Sequence, residues 1–255
     1  MPDNSISELV SQALAKEWFY TFELPGGQRT ASYHDGELDA IHATRWRMVS
    51  QHVENVFGGH YANLKALDLA CHQGFFSLKT AQLGFSSVLG IDARHSHVED
   101  SRLMAQIYGL EKAQFQQADI FELDAQRQGK FDLVLMLGLL YHLENPVGAL
   151  RLAHTLCKGV CLIETQVVPG LSGFVDYGSY RFVRPLKGSF GIIDETAETH
   201  GPEASVTGIC LVPSLEGLLW TLQKVGFSDV SVMKPPADAY EQLRYGKRVM
   251  VAAHV

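Results

Sequence analysis

Leu64-Lys65-Ala66-Leu67-Asp68-Leu69-Ala70-Cys71-His72-Gln73-Gly74-Phe75-Phe76 is the stretch on which the reading of the chain depends. An apolar run ends in an acid, passes through small residues, turns at Gly74 and enters a helical pattern. The spacing predicts a buried strand, a tight turn and a helix N-terminus. Such a unit aims backbone N–H groups and the positive end of the helix dipole at a ligand. Small residues at Ala70 and Gly74 let that ligand approach the backbone. Strand-turn-helix units also occur with no ligand, so the flanking sequence has to decide.

Downstream, strand and helix patterns alternate, as in a parallel sheet with crossover helices. Strands are expected over 64–68, 87–91, 113–117, 131–137 and 160–164, with a last pair over 229–232 and 248–254. Phe131 to Leu137 is nearly all apolar, as a strand buried on both faces should be. Ser96 with Glu99, Asn145 with Pro146, and Ser214 read as helix starts; Gly84, Gly109, Gly159 and Gly226 read as stops. Residues 166–208 show no clean period and read as an irregular insertion. Upstream, a helix over 3–16, an aromatic β-prone run from Trp18 to Leu24, and a helix over about 40–57 form an N-terminal extension. The expected organisation is therefore an extension or cover over 1–60 and a ligand-binding α/β domain over 61–255.

Composition bounds the function. The 255 residues are 46% hydrophobic and 19% charged, with a formal net charge of -7 that disfavours a general polyanion-binding surface. The four cysteines lack a CxxC and read as reduced, mostly buried thiols. The chain opens on no signal peptide, and its longest apolar run, Phe131 to Leu143, contains Asp132 and is too short to span a bilayer. A soluble cytoplasmic protein with no membrane partner is the expectation.

Ligands of open α/β sheets bind beyond the carboxyl ends of the strands. Three such ends carry an acid: Asp68, Asp92 and Asp119. Asp92 follows Gly74 by 18 residues, close to the spacing at which an acid meets ribose hydroxyls. A nucleoside-containing cofactor is the economical reading.

Asp68-Leu69-Ala70-Cys71-His72-Gln73-Gly74 resembles the first motif of class I S-adenosylmethionine-dependent methyltransferases. The resemblance continues through Gly90-Ile91-Asp92-Ala93, Ala118-Asp119-Ile120 and Met136-Leu137-Gly138-Leu139-Leu140-Tyr141-His142. It implies a Rossmann-like, seven-stranded, mostly parallel sheet with helices on both faces and a reversed last hairpin. It also implies S-adenosylmethionine as cofactor. Asp68, Ala70, Cys71, Gly74 and Phe75 would meet the methionine moiety, Asp92 and Ala93 the ribose, Asp119 and Ile120 the adenine, with Leu137 and Gly138 alongside. Ala70 stands where the family usually has Gly, and its methyl group fits only if φ there is negative.

The string Gly138 to Pro146, with Ile163-Glu164-Thr165 and Leu211-Val212-Pro213-Ser214, is similar to bacterial enzymes that complete 5-oxyacetyl modification of a tRNA wobble uridine. Those enzymes use a carboxylated cofactor whose carboxylate is held by a Lys, a Tyr and an Arg. By motif, Tyr141 keeps the Tyr, Arg248 the Arg, and Arg45 before Trp46 stands for the Lys. A planar guanidinium is not equivalent to an ammonium, and the 166–208 insertion does not match those enzymes.

For catalysis, His142, as a side chain that can titrate near neutral pH, reads as a base or as an ordering group of its turn. Tyr141 reads as lining the cofactor end, and Glu164 as facing the acceptor. His95-x-His97 suggests no third ligand, so no metal is expected. The favoured function is methyl transfer to a small-molecule acceptor. The alternatives are a tRNA-modifying methyl- or carboxymethyl-transferase and a catalytically degenerate cofactor-binding domain. Dehydrogenase-type binding is disfavoured because the turn lacks Gly-x-Gly-x-x-Gly.

Overall fold

A computed structural model describes residues 4–34, 38–177, 180–196, 198, 204–205 and 207–255. They fall into two units, Met1–Leu135 with Pro235–Tyr240, and Met136–Lys234 with Glu241–Val255.

In the first unit, α1 (Asn4–Leu14) leads into a two-residue strand β1 (Glu17–Trp18), which pairs in parallel with β2 (Ala31–Ser32). The aromatic run is thus not one long strand. Trp18, Tyr20, Phe22 and Leu24 are nonetheless buried at alternate positions, so the period of two expresses itself as extended chain packed on one side. The run turns back at Pro25-Gly26-Gly27, where Leu24 N–H bonds Gln28 O at 2.7 Å. Next comes α2 (Asp39–Phe57), ended by Gly58 in the left-handed region at φ 58.

The sheet of this unit follows the alternating pattern: β3 (Lys65–Leu69), α3 (Phe75–Gln82), β4 (Ser87–Asp92), α4 (His95–Tyr108), β5 (Ala113–Gln117), a short α5 (Ala125–Gln128) and β6 (Phe131–Leu137). β3 pairs in parallel with β4 and β6, and β4 with β5. Leu67, Leu69, Ile91, Leu133 and Leu135 have no exposed surface. Each such side chain contributes about 1.5–3 kcal/mol relative to an exposed one. α4 corrects the expected capping box. Its N-cap is Arg94, with no side-chain cap, and it is Asp92 Oδ1 that accepts the Arg94 N–H at 2.9 Å. An acid at the strand end holds the N-cap N–H instead.

In the second unit, Asn145 caps α6 (Pro146–Leu156) by accepting Gly148 N–H at 2.9 Å, with Pro146 in the first turn as expected. The next strand, β7 (Cys157–Gln166), starts before Gly159. Buried Leu156 and Cys157 pass straight from helix to sheet, so no glycine stop is needed. Within 166–208 the chain is more ordered than its period suggests: β8 (Phe174–Tyr177) pairs with β9 (Tyr180–Pro185), and β10 (Phe190–Asp194) pairs with β11 (Ile209–Pro213). α7 (Leu215–Val225) is capped by Ser214 and stopped by Gly226. β12 (Asp229–Val232), α8 (Glu241–Arg244) and β13 (Arg248–His254) follow, with β13 antiparallel to both β12 and β7.

The principal sheet has seven strands in the order β12-β13-β7-β6-β3-β4-β5, mostly parallel, which is the Rossmann-like arrangement. All four cysteines are buried free thiols. Among the described residues, no helix is long and apolar enough to cross a membrane.

Candidate active site

The turn after β3 is built from alternating left-handed residues: Ala70 (φ 57), His72 (φ 52) and Gly74 (φ 79). The requirement that Ala70 keep a negative φ is therefore not met. A non-glycine residue there costs about 1–2 kcal/mol, a strain typical of ligand loops held by their surroundings. At Gly74 no side chain fits, because a Cβ would lie 2.9 Å from Ser101 Oγ and 3.0 Å from Phe115. Cys71 N–H bonds Ile91 O at 2.8 Å, tying the turn to β4. Burial pushes the Cys71 thiol well above its ordinary range, so it is not a thiolate nucleophile.

The three strand-end acids have different surroundings. Asp68 is buried and accepts the Ser77 hydroxyl at 2.6 Å. Burial raises its pKa to about 7, with nearby Asp92 adding to the shift and Ser77 opposing it. Asp92 is buried too, and burial pushes its pKa up, but hydrogen bonds from His97 and Arg94 N–H carry it below the ordinary value. Its Oδ1 meets Arg94 N at 2.9 Å and His97 Nδ1 at 3.1 Å, and its Oδ2 meets His72 N at 2.9 Å. A carboxylate oxygen has two acceptor positions, so Oδ2 retains one for a ligand hydroxyl. Ala93, next in the chain, accepts Gln117 Nε2 at 3.1 Å through its carbonyl. Asp119 caps the short turn Ile120–Glu122 by accepting Phe121 N–H at 2.9 Å, and Ile120 is buried.

The N-terminal segment is fastened to this turn. Gln73 accepts Phe19 N–H at 2.8 Å and donates to Asp100 Oδ2 at 2.9 Å, while Lys16 pairs with Asp100. Tyr20 stacks on Phe75 with ring centroids 4.8 Å apart, and Phe19 lies 4.7 Å from the His72 ring. His72 in turn stacks on His97 at 3.8 Å. Beside this assembly a cavity of about 460 Å³ is lined by Phe22, His42, Trp46, Phe75, Lys79 and Tyr108, among others. Arg45 is buried on α2 in the same unit.

The second unit holds a charged cluster. Arg248 donates through Nη2 to Tyr141 Oη at 3.0 Å, through Nη1 to Glu164 Oε1 at 3.2 Å, and through Nε to Gln242 Oε1 at 2.8 Å. Its guanidinium also lies 4.6 Å from the centre of the Tyr141 ring. Glu164 has no exposed surface. Burial works against the guanidinium charge, and Tyr141 and Glu164 outweigh it, so Arg248 keeps its proton. Gly138 N–H bonds Glu164 O at 3.0 Å, and Leu137 is buried at the end of β6. A second pair lies beside the first. His142 Nδ1 sits 2.7 Å from both carboxylate oxygens of Glu195, which also accepts Ser205 N–H at 2.8 Å and the Cys210 thiol at 3.5 Å.

The first unit thus brings together Asp68, Ala70, Cys71, Gly74, Phe75 and Asp92 around one turn, with Asp119 and Ile120 in a cap of their own. The second joins Tyr141, Glu164 and Arg248, and seats His142 on Glu195. Sequence reasoning gave no role to Gln73, Gln242 or Glu195, and weighed His97 only as half of a metal pair. Glu195 carried a signal, since it stands in an acidic cluster inside the insertion; Gln242 carried none.

A family model described as a methyltransferase domain matches residues 60–175. A tRNA U34 carboxymethyltransferase of Desulfotalea psychrophila is 23% identical over 190 residues, covering 74% of this chain and 51% of that protein. A ubiquinone biosynthesis O-methyltransferase of Acinetobacter baumannii is 29% identical over 100 residues, or 39% of this chain and 42% of that one. The chain spans about half the length of the curated relatives it matches. Among solved structures, the N-terminal domain of EvdMO1 with SAH bound has a TM-score of 0.70 at 21% identity, covering 100% of this chain and 98% of that one. These likenesses agree with the turn, the strand-end acids and the sheet order: residues 60–175 are a methyltransferase domain of the class I, S-adenosylmethionine-dependent family, related to the tRNA U34 carboxymethyltransferases.

Proposed function

We propose that the chain methylates a small-molecule acceptor from ordinary S-adenosylmethionine. The left-handed turn 70–74, Asp92 with its remaining acceptor position, and Asp119 with Ile120 would hold the cofactor. When bound, S-adenosylmethionine supplies a methyl group on a sulfonium, and its displacement neutralises that charge. Orientation and exclusion of water then supply much of the rate.

The observation that carries methyl over carboxymethyl transfer is the Arg248–Glu164 pair. Each of the three guanidinium nitrogens already has a protein partner, and the buried carboxylate cancels the charge. A cofactor carboxylate brought to Arg248 would have to displace Glu164 or lie beside it, leaving like charges in a dry place. Glu164 thereby reads as the counter-ion of Arg248 and not as an acceptor base. Calorimetry with both cofactors tests the reading. S-adenosylmethionine is expected to bind more tightly than its carboxylated form. A clear preference for the carboxylated form, lost in Arg248→Ala, would restore carboxymethyl transfer.

A further inference from the structure

The cavity of about 460 Å³ in the first unit is of a size that encloses a small molecule, and none of the three strand-end acids lines it. Phe22 and Leu78 are its buried apolar lining, and Trp46, Phe75 and Tyr108 add three half-buried rings. Lys79 follows Phe75 by about one turn of α3, so their side chains share a face. Its ammonium lies 5.1 Å from the centre of the Phe75 ring and 5.6 Å from that of Trp46. The other cations of the lining are already answered by carboxylates, Arg29 by Asp39 at 3.7 Å and Arg47 by Asp238 at 2.8 Å. Among the described residues Lys79 has neither a hydrogen bond nor an ion pair, and Glu23, the remaining acid of the lining, has no ion pair either. Burial lowers the Lys79 pKa, and Glu23 opposes that only in part, so the ammonium sits partly out of water with no carboxylate in contact. Glu23 is fixed through its backbone: its carbonyl accepts the Tyr108 hydroxyl at 2.8 Å, and it bridges to Arg29 across the Pro25-Gly26-Gly27 turn. A lone cation and a lone anion thus line one aromatic cavity without pairing.

We propose that this cavity is a second ligand site, adjoining the cofactor turn through Phe75 but separate from it, and that it takes a small aromatic zwitterion of the class of an aromatic α-amino acid. The ligand carboxylate pairs with Lys79, its ammonium with Glu23, and its ring packs on Trp46 and Phe75. An uncharged aromatic molecule leaves both side-chain charges unanswered. An aromatic carboxylate answers Lys79 but sets a second anion beside Glu23, and an aromatic amine sets a second cation beside Lys79. A zwitterion alone complements both, which is the source of the specificity. The inference does not rest on the choice between methyl and carboxymethyl transfer.

Calorimetry with phenylalanine, phenylpropionate and phenethylamine decides, on the protein alone and with S-adenosylhomocysteine in excess. Phenylalanine is expected to bind in both conditions, and each single-charge analogue roughly 10–100-fold more weakly, the share of one charged contact. Lys79→Met keeps the apolar stem and removes the charge. It should weaken phenylalanine and phenylpropionate by a similar factor without weakening phenethylamine. Glu23→Gln should weaken phenylalanine and phenethylamine and spare phenylpropionate. Thermal melts check that both variants fold, and should one fail, the analogue series on the wild-type protein decides alone. Phenylpropionate or phenethylamine binding as tightly as phenylalanine, or affinities indifferent to both substitutions, overturns the zwitterion. Phenylalanine displaced by S-adenosylhomocysteine lies in the cofactor site, and phenylalanine that does not bind at all is no ligand of this cavity; either result overturns the proposal.

Discussion

Asp68 is enclosed at the end of β3, and its carboxyl titrates near 7 mainly because burial penalises the charge. The folded pKa exceeds the unfolded one, so the folded state holds the proton more tightly. The stability this confers is complete below about pH 4 and is lost progressively up to about pH 7, as the unfolded chain ionises first. Without cofactor, Asp68→Asn should therefore match or trail wild type near pH 4 and gain on it up to neutral pH, by at most about 4 kcal/mol. Denaturant melts of both proteins across that range check it, and parallel pH profiles would show that Asp68 ionises freely. The acid itself was legible as a strand end. Its enclosure was not, because burial depends on Ser77 and on the packing of α3. Ala70 teaches the converse. Its small side chain was visible and its left-handed φ was not, since surrounding bonds and not the residue's own preference hold the turn.

Elements were legible where period and caps agreed, as at α6 with Asn145 and at α7 with Ser214. They were misjudged where tertiary contacts set the boundary. β7 begins ahead of its glycine, and the insertion forms paired strands too short to show a period. The N-terminal extension belongs to this scale, because Gln73 joins it to the turn. Gln73→Leu would strip Phe19 N–H and Asp100 of a partner each, at about 1–3 kcal/mol for an unsatisfied buried group. Amide exchange at Phe19 should then rise well above wild type while the amides of β3 and β4 stay protected. Unchanged protection at Phe19 would mean that ring packing alone holds the segment.

Taken whole, the chain carries a formal charge of -7, and several cations of the first unit are already neutralised: Lys16 by Asp100, Arg47 by Asp238 at 2.8 Å, and Arg102 by Glu99 at 2.6 Å. tRNA should accordingly bind weakly and with a shallow salt slope in filter binding. Tight binding that falls steeply between low and physiological salt would favour the nucleic-acid reading that the U34 relatives suggest. The seven-stranded, mostly parallel sheet with its reversed last hairpin was legible through the family motifs; the pairing of charges was not, because the partners lie far apart in sequence. That distance matters during synthesis. Arg248 follows Glu164 by 84 residues and Tyr141 by 107. At about 5–20 residues per second, a ribosome delivers the guanidinium roughly 4–17 seconds after the carboxylate it neutralises. Throughout that interval β7 lacks the neighbour that β13 will become, and exposes an apolar edge open to mispairing. The nascent protein is thus open to aggregation until its charged cluster closes.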